Sequence, residues 1–143
     1  MAQISPYLNF YGNTEEAFNF YKSVFGTEFS GLMRFKDSPG GDKMQAGDQE
    51  KIMHIALPVG NGVVLMGTDM LESAGEVLKA GNNFSLSLTP ESEEDGLRFF
   101  NGLSAGGNIE VQFEKAFWGA YFGMFVDKFG IRWMINYDPN QAK

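Results

Sequence analysis

The sequence predicts an α+β chain in which a βαβββ module occurs twice. Three observations carry this reading. The stretch Glu15-Glu16-Ala17-Phe18-Asn19-Phe20-Tyr21 matches Glu94-Asp95-Gly96-Leu97-Arg98-Phe99-Phe100 in type, acidic-acidic-x-apolar-x-Phe-aromatic in both copies. An alternating apolar segment precedes each copy, and a glycine stop follows each. Several further strand signals then follow, separated by glycine turns. At 143 residues the chain suits a single domain, with module one at about 1–68, a linker at about 69–81 and module two at about 82–138.

The elements follow in order. Tyr7-Leu8-Asn9-Phe10 alternates as a short strand does. Asn13 stands where a helix N-cap belongs, with Glu16 three positions on as in a capping box. Ala17, Phe18, Phe20, Tyr21, Val24 and Phe25 keep helical spacing, and Gly26 takes the left-handed C-terminal position. Thr27 to Phe35 reads as a strand. Lys36 to Glu50, with Pro39-Gly40-Gly41 and Gly47-Asp48, reads as a long flexible loop, a lid or a disordered segment. Ile52–Val59 and Val63–Met66 flank Gly60-Asn61-Gly62, whose Asn-Gly is a hairpin signal. A helical turn is expected to run through Glu72–Lys79.

Module two begins with Phe84, Leu86 and Leu88 alternating with Ser85, Ser87 and Thr89. Pro90 is expected at the first helical position, with Glu91-Ser92-Glu93-Glu94-Asp95 placing negative charge at the positive end of the helix dipole. Leu97, Phe99, Phe100 and Leu103 supply its apolar face, and Ala105-Gly106-Gly107 ends it. Strands are expected at Ile109–Phe113, Tyr121–Val126 and Ile131–Tyr137.

Composition narrows the chemistry. There is no Cys, so disulfides, thiolate metal sites and thiol nucleophiles are excluded. A single His, His54, is the one side chain whose ordinary titration falls near neutrality. A net charge of −7 without any basic stripe speaks against nucleic acid. Met1-Ala2-Gln3-Ile4-Ser5-Pro6 has no basic region or long apolar run, so no secretory signal is expected there, and no run of apolar residues is long enough to span a bilayer. The expectation is a cytoplasmic protein with no membrane partner. Gly60-Asn61-Gly62 is not a phosphate loop, and no glycine fingerprint opens a helix after a strand. What the composition supplies is ring area and thioether, with 14 Phe, 5 Tyr, 2 Trp and 8 Met.

Specific residues resemble those of a known family. Pro6-Tyr7-Leu8-Asn9-Phe10, Glu15-Glu16-Ala17, Phe20-Tyr21 and Phe25-Gly26 are similar to the opening of PhnB-like proteins. Met53-His54, Phe117-Trp118-Gly119-Ala120-Tyr121-Phe122-Gly123 and Asp127-Lys128-Phe129-Gly130-Ile131-Arg132-Trp133 extend the resemblance over nearly the whole chain. These proteins belong to the vicinal-oxygen-chelate superfamily, with glyoxalase I, extradiol dioxygenases and the bleomycin- and fosfomycin-resistance proteins. The resemblance implies the glyoxalase/bleomycin-resistance/dioxygenase-like fold, whose curved mixed sheets form half-open cups around a small-molecule site, and it implies a homodimer.

The resemblance also locates the superfamily's metal ligands, on the opening strand and a later strand of each module. Those places fall near Pro6 and Leu8, at Phe84, at Met134 and at His54. Only His54 can ligate through its side chain, so no metal and no other cofactor is expected. The competing expectation is a divalent-metal lyase, isomerase or dioxygenase with a non-standard set, His54 plus Asp69, Glu110 or Glu114. A third is a structural or partner-binding domain with an occluded cup. The family's label of demethylubiquinone methyltransferase finds no support in these residues.

The leading expectation is therefore a small-molecule-binding protein with an aromatic-lined cup and no assigned reaction. His54 is the candidate general base or hydrogen-bond donor, with Asp69 or Glu110 as candidates to set its tautomer; the alternative is a hydrogen-bonded strand histidine. Phe117, Trp118, Tyr121 and Phe122 are the candidate ligand-binding wall, or else a core cap or dimer surface. Arg132 either meets an anionic ligand or faces solvent, and Trp133 is read as core.

Overall fold

The computed structural model describes residues 2–140. The chain divides into two compact units, one ending at Lys79 and the other beginning at Ala80. Among the described residues no helix is long and apolar enough to cross a membrane.

Module one comprises β1 (Tyr7–Phe10), α1 (Thr14–Phe25), β2 (Gly31–Arg34), β3 (Ile52–Gly60) and β4 (Val63–Asp69). Its sheet has the order β1-β4-β3-β2, with β1 parallel to β4 and the other pairs antiparallel. The β3–β4 turn places Asn61 at φ 53° and Gly62 at φ 76°, the backbone that a two-residue hairpin with right-handed twist requires. One face of the sheet packs on α1. Phe18 and Tyr21 of the helix are fully buried with Ile55, Leu57 and Leu65, and Phe18 meets Phe10 and Tyr21 edge to face. Gly67 is required beneath that ring, since a Cβ there would lie 2.7 Å from Phe18.

The start of α1 differs from the expectation. Asn13 makes no side-chain cap, so the Asn13–Glu16 capping box does not form. Instead the Asp69 carboxylate, arriving on β4, accepts from Thr14 N at 3.2 Å and from Thr14 Oγ1 at 2.6 Å. Its other oxygen accepts from Ile52 N at 2.8 Å. A buried charge is tolerable only with such a full set of donors. The C-terminus behaves as expected: Gly26 is left-handed and donates to the Lys22 carbonyl at 2.8 Å.

The segment 36–50 is not structureless. It holds two 3₁₀ turns, Phe35–Asp37 and Gly41–Lys43, and the one-turn α2 (Ala46–Gln49). Arg34 clamps it, pairing both terminal nitrogens with Glu15 at 3.0 and 2.7 Å and donating to the Glu50 carbonyl at 2.8 Å. Asp48 accepts from Ser73 at 2.5 Å and from Lys51 at 2.9 Å. Gly41 closes the fold-back, because a Cβ at that position would stand 1.9 Å from the Phe35 carbonyl oxygen. β2 is correspondingly shorter than the Thr27–Phe35 strand expected. Of the turn expected through Glu72–Lys79 only Glu72–Ala74 is helical.

Module two repeats the plan with β5 (Leu86–Leu88), α3 (Glu93–Ser104), β6 (Asn108–Lys115), β7 (Tyr121–Val126) and β8 (Arg132–Tyr137). The order is β5-β8-β7-β6, and β5 again runs parallel to its neighbour. Phe84 lies outside β5 and is 64% exposed, contrary to the strand expected there. Pro90 precedes the helix, whose N-cap is Ser92, accepting from Asp95 N at 3.0 Å. A serine aligned for capping satisfies a backbone donor that Pro90 cannot. Phe100 is the buried anchor of α3, against Phe113 and Phe125, whereas Leu97 is left exposed. The β7–β8 turn is built on one buried carboxylate. Asp127 accepts from Phe129 N and Ile131 N through one oxygen and from Trp133 Nε1 through the other.

Candidate functional site

Strand alternation divides each sheet into a helix-packed face and an open face. In module one Leu8, Phe10, Ile55, Leu57, Leu65 and Gly67 face α1. Tyr7, His54 and Met66 consequently point the other way, and Met33 is the cross-strand partner of His54. His54 is half-buried there. Its Nδ1 lies 3.3 Å from the Tyr7 hydroxyl, with the two rings 5.9 Å apart and tilted by 32°. Tyr7 is the residue that the sequence reading missed. The signal was available, since Leu8 and Phe10 in the core force Tyr7 onto the face that His54 occupies.

The carboxylates expected to orient His54 are engaged elsewhere. Asp69 belongs to the helix-packed face and serves α1 and Ile52. Glu110 forms a two-pronged ion pair with Arg132, at 3.2 and 2.8 Å. Leu8, on the expected metal-ligand strand, also turns toward the core.

In module two the open face carries Phe122, Met124, Val126, Arg132 and Met134, in the register set by β7 and β8. These side chains are half-buried. The expected aromatic wall separates into three parts. Phe122 and Trp118 meet on this face with ring centroids 5.9 Å apart. Phe117 stacks edge-on against Trp118 at 5.0 Å but is 99% exposed. Tyr121, one residue from Phe122, points to the α3 side, where its ring meets Phe113 and Tyr137. The Glu93 carboxylate near its hydroxyl holds the phenol above its ordinary range, because ionising it would set two anions together.

Arg132 lies on the open face, but its charge is matched by Glu110. Its Nε is buried and has no hydrogen-bond partner among the described residues. Trp133 is core, as its alternation suggests.

The superfamily's divalent metal does not fit this donor set. Among the described residues no group of three or more His, Asp or Glu side chains stands together to hold an ion. Met134 occupies an open-face position with a thioether, a poor ligand for a hard divalent cation.

Comparison with known proteins agrees with the paired-module plan. A family model described as 3-demethylubiquinone-9 3-methyltransferase matches residues 2–136. Protein YjdN of Escherichia coli (strain K12) is 32% identical over 141 residues, with 93% of each chain covered. The crystal structure of protein PA1353 from Pseudomonas aeruginosa shares 37% identity and superposes with a TM-score of 0.83, covering 96% of this chain and 98% of that one. A Bacillus cereus structure described as a putative 3-demethylubiquinone-9 3-methyltransferase, PhnB protein, shares 26% identity at a TM-score of 0.75, covering 95% and 99%. The chain therefore belongs to the PhnB-like family described by that model, with the fold of the glyoxalase/bleomycin-resistance proteins.

Proposed function

We propose that this protein binds a small, largely apolar molecule on the open, aromatic- and thioether-lined faces of its modules, without the superfamily's metal. The observation that carries the reading is on module two. Phe122, Met124 and Met134 make a half-buried apolar surface beside Arg132, whose buried Nε–H has no partner among the described residues. Binding sites of this kind are mostly apolar, with a few polar groups that fix orientation. A ligand whose apolar part covers Phe122 and the methionines would bring an oxygen beside the exposed edge of the Arg132 guanidinium.

The reading is of binding rather than group transfer. No glycine-rich turn cradles a nucleotide between β1 and α1 or between β5 and α3, so the family's methyltransferase description gains no support from these residues. The same proposal includes a cytoplasmic homodimer with no nucleic-acid or membrane partner. Thermal-shift screening of small aromatic carboxylates, amides and ketones tests it. At least one should raise the melting temperature, and it should perturb the methyl resonances of Met124 and Met134. A panel that moves neither readout rejects the reading.

A further inference from the structure

We propose that Tyr7 holds His54 as the Nε2–H tautomer, so that the open face of module one offers a hydrogen-bond donor to a ligand oxygen rather than a base. The inference rests on the small-molecule reading above for its ligand, but not for its first test.

The argument begins with the hydrogen bond between the Tyr7 hydroxyl and His54 Nδ1, at 3.3 Å. Among the described residues Tyr7 is the hydrogen-bond partner of this ring. Two assignments of the proton are conceivable. A phenol is a good donor and a weak acceptor, while an unprotonated imidazole nitrogen is a strong acceptor. The hydroxyl therefore donates to Nδ1, and the ring proton resides on Nε2. The partner of one imidazole nitrogen decides what the other can do.

The chemical consequence is specific. Neutral His54 presents an N–H at Nε2 and has no lone pair there to take up a proton. It can polarise or anchor a carbonyl or carboxylate oxygen. It cannot abstract a proton at Nε2 without first changing its tautomer, which would cost the bond to Tyr7. This bears directly on the general-base role considered for His54 from the sequence.

The neighbours specify the rest of the ligand. Met33 is the cross-strand partner of His54, and Met66 is the partner of Tyr7 on the same face. Thioethers make favourable contact with aromatic rings and adapt to irregular shapes. Thr68 is already engaged, donating to the Met53 carbonyl at 2.8 Å. The face thus suits a planar apolar compound carrying one acceptor group, of which benzoate, with its single carboxylate, is a simple probe.

The experiment exploits the single histidine, because one imidazole gives one pair of ring nitrogen signals. Long-range proton–nitrogen correlation spectra of histidine-labelled protein are recorded at alkaline pH, where imidazole is neutral. Wild type should show Nδ1 at the limiting position of an unprotonated nitrogen and Nε2 at that of a protonated one. In Tyr7→Phe, which keeps the ring, the two signals should move toward each other as the second tautomer is populated. A proton found on Nδ1 in the wild type overturns the inference, as does a Tyr7→Phe spectrum identical to wild type.

The second arm titrates benzoate, with toluene as the apolar control. Benzoate should shift Nε2–H of His54. His54→Leu should weaken benzoate by about tenfold, as expected for losing a hydrogen bond to a charged group. His54→Gln, whose amide keeps a donor, should restore much of it. If toluene shifts the Met33 and Met66 methyls while benzoate leaves Nε2 untouched, this inference falls. If neither probe shifts any signal of the protein, the donor role of His54 toward a ligand falls, while the small-molecule reading stands or falls on the wider thermal-shift panel.

Discussion

Removal of the Asp69 carboxylate should be among the most damaging single changes in module one. Three donors converge on it: Thr14 N, Thr14 Oγ1 and Ile52 N. Hydrogen bonds to a charged acceptor contribute about 1.5–3 kcal/mol each and do not add fully. Asp69→Ala orphans all three donors in a buried setting and should cost about 3–5 kcal/mol, a large share of an ordinary domain's stability. Asp69→Asn keeps one acceptor oxygen but turns an N–H₂ toward the remaining donors, so about 1–3 kcal/mol is expected. Thr14→Val, which deletes only the hydroxyl, should cost about 1 kcal/mol. Urea unfolding followed by circular dichroism measures each through its midpoint at unchanged slope. The companion variant Asn13→Ala should change almost nothing, whereas a working N-cap would cost about 0.5–2 kcal/mol. The reasoning is refuted if Asn13→Ala costs more than Asp69→Asn, or if Asp69→Ala leaves the midpoint within error of wild type.

Four further outcomes are expected. Gly67→Ala should lose about 1–3 kcal/mol by overpacking against Phe18, and the pairing with Phe18→Leu should recover part of it in a double-mutant cycle. Ser92→Ala should cost about 1 kcal/mol through the lost cap on α3, measured by the same urea titration. The Arg34 hydrogen bond holds the Glu15 carboxyl below its ordinary value, and Ser73 and Lys51 do the same for Asp48. Around pH 4 the native chain thus binds fewer protons at these sites than the unfolded one, so their stabilisation is present above about pH 5 and is lost as pH falls through their lowered values. Urea midpoints taken down through that range should fall less steeply for Asp48→Asn than for wild type. Phe117→Ser should leave the melting temperature almost unchanged because the ring is solvent-exposed, while Phe122→Ala should weaken any ligand found by the thermal-shift screen.

Much of the fold was legible because it is encoded by neighbours in the chain. The Gly26 stop, the Asn61-Gly62 hairpin and the alternation of β7 depend on residues a few positions apart. The errors arise where a local rule met a distant competitor. Asn13 has the composition of a cap, but the Asp69 carboxylate from β4 reaches the Thr14 donors instead. The 36–50 segment lacks any periodicity, yet Arg34, Glu15, Asp48 and Ser73 order it through contacts that no local window contains. Leu97 keeps its place in the repeat and is nevertheless exposed, whereas its counterpart Phe18 is fully buried. At the site, His54 was identifiable as the sole imidazole and Phe122 as part of an aromatic run. Trp118, the partner of Phe122, lay in that same run, and alternation put Tyr7 on the face of His54, but alternation does not say that the Tyr7 hydroxyl comes within hydrogen-bond distance of the imidazole.

The sequence by itself determined the doubled βαβββ plan, the helix stops and the absence of Cys-based chemistry, all properties of composition and short-range stereochemistry. Only the tertiary structure decided that Tyr7 meets His54, 47 residues away, that Asp69 caps a helix 55 residues before it, and that Arg132 pairs with Glu110. Those choices depend on strand register. A shift of one residue along β1 would send Tyr7 into the core and Leu8 to the open face, so side-chain partners are settled by how the strands pair and not by the residues that flank them.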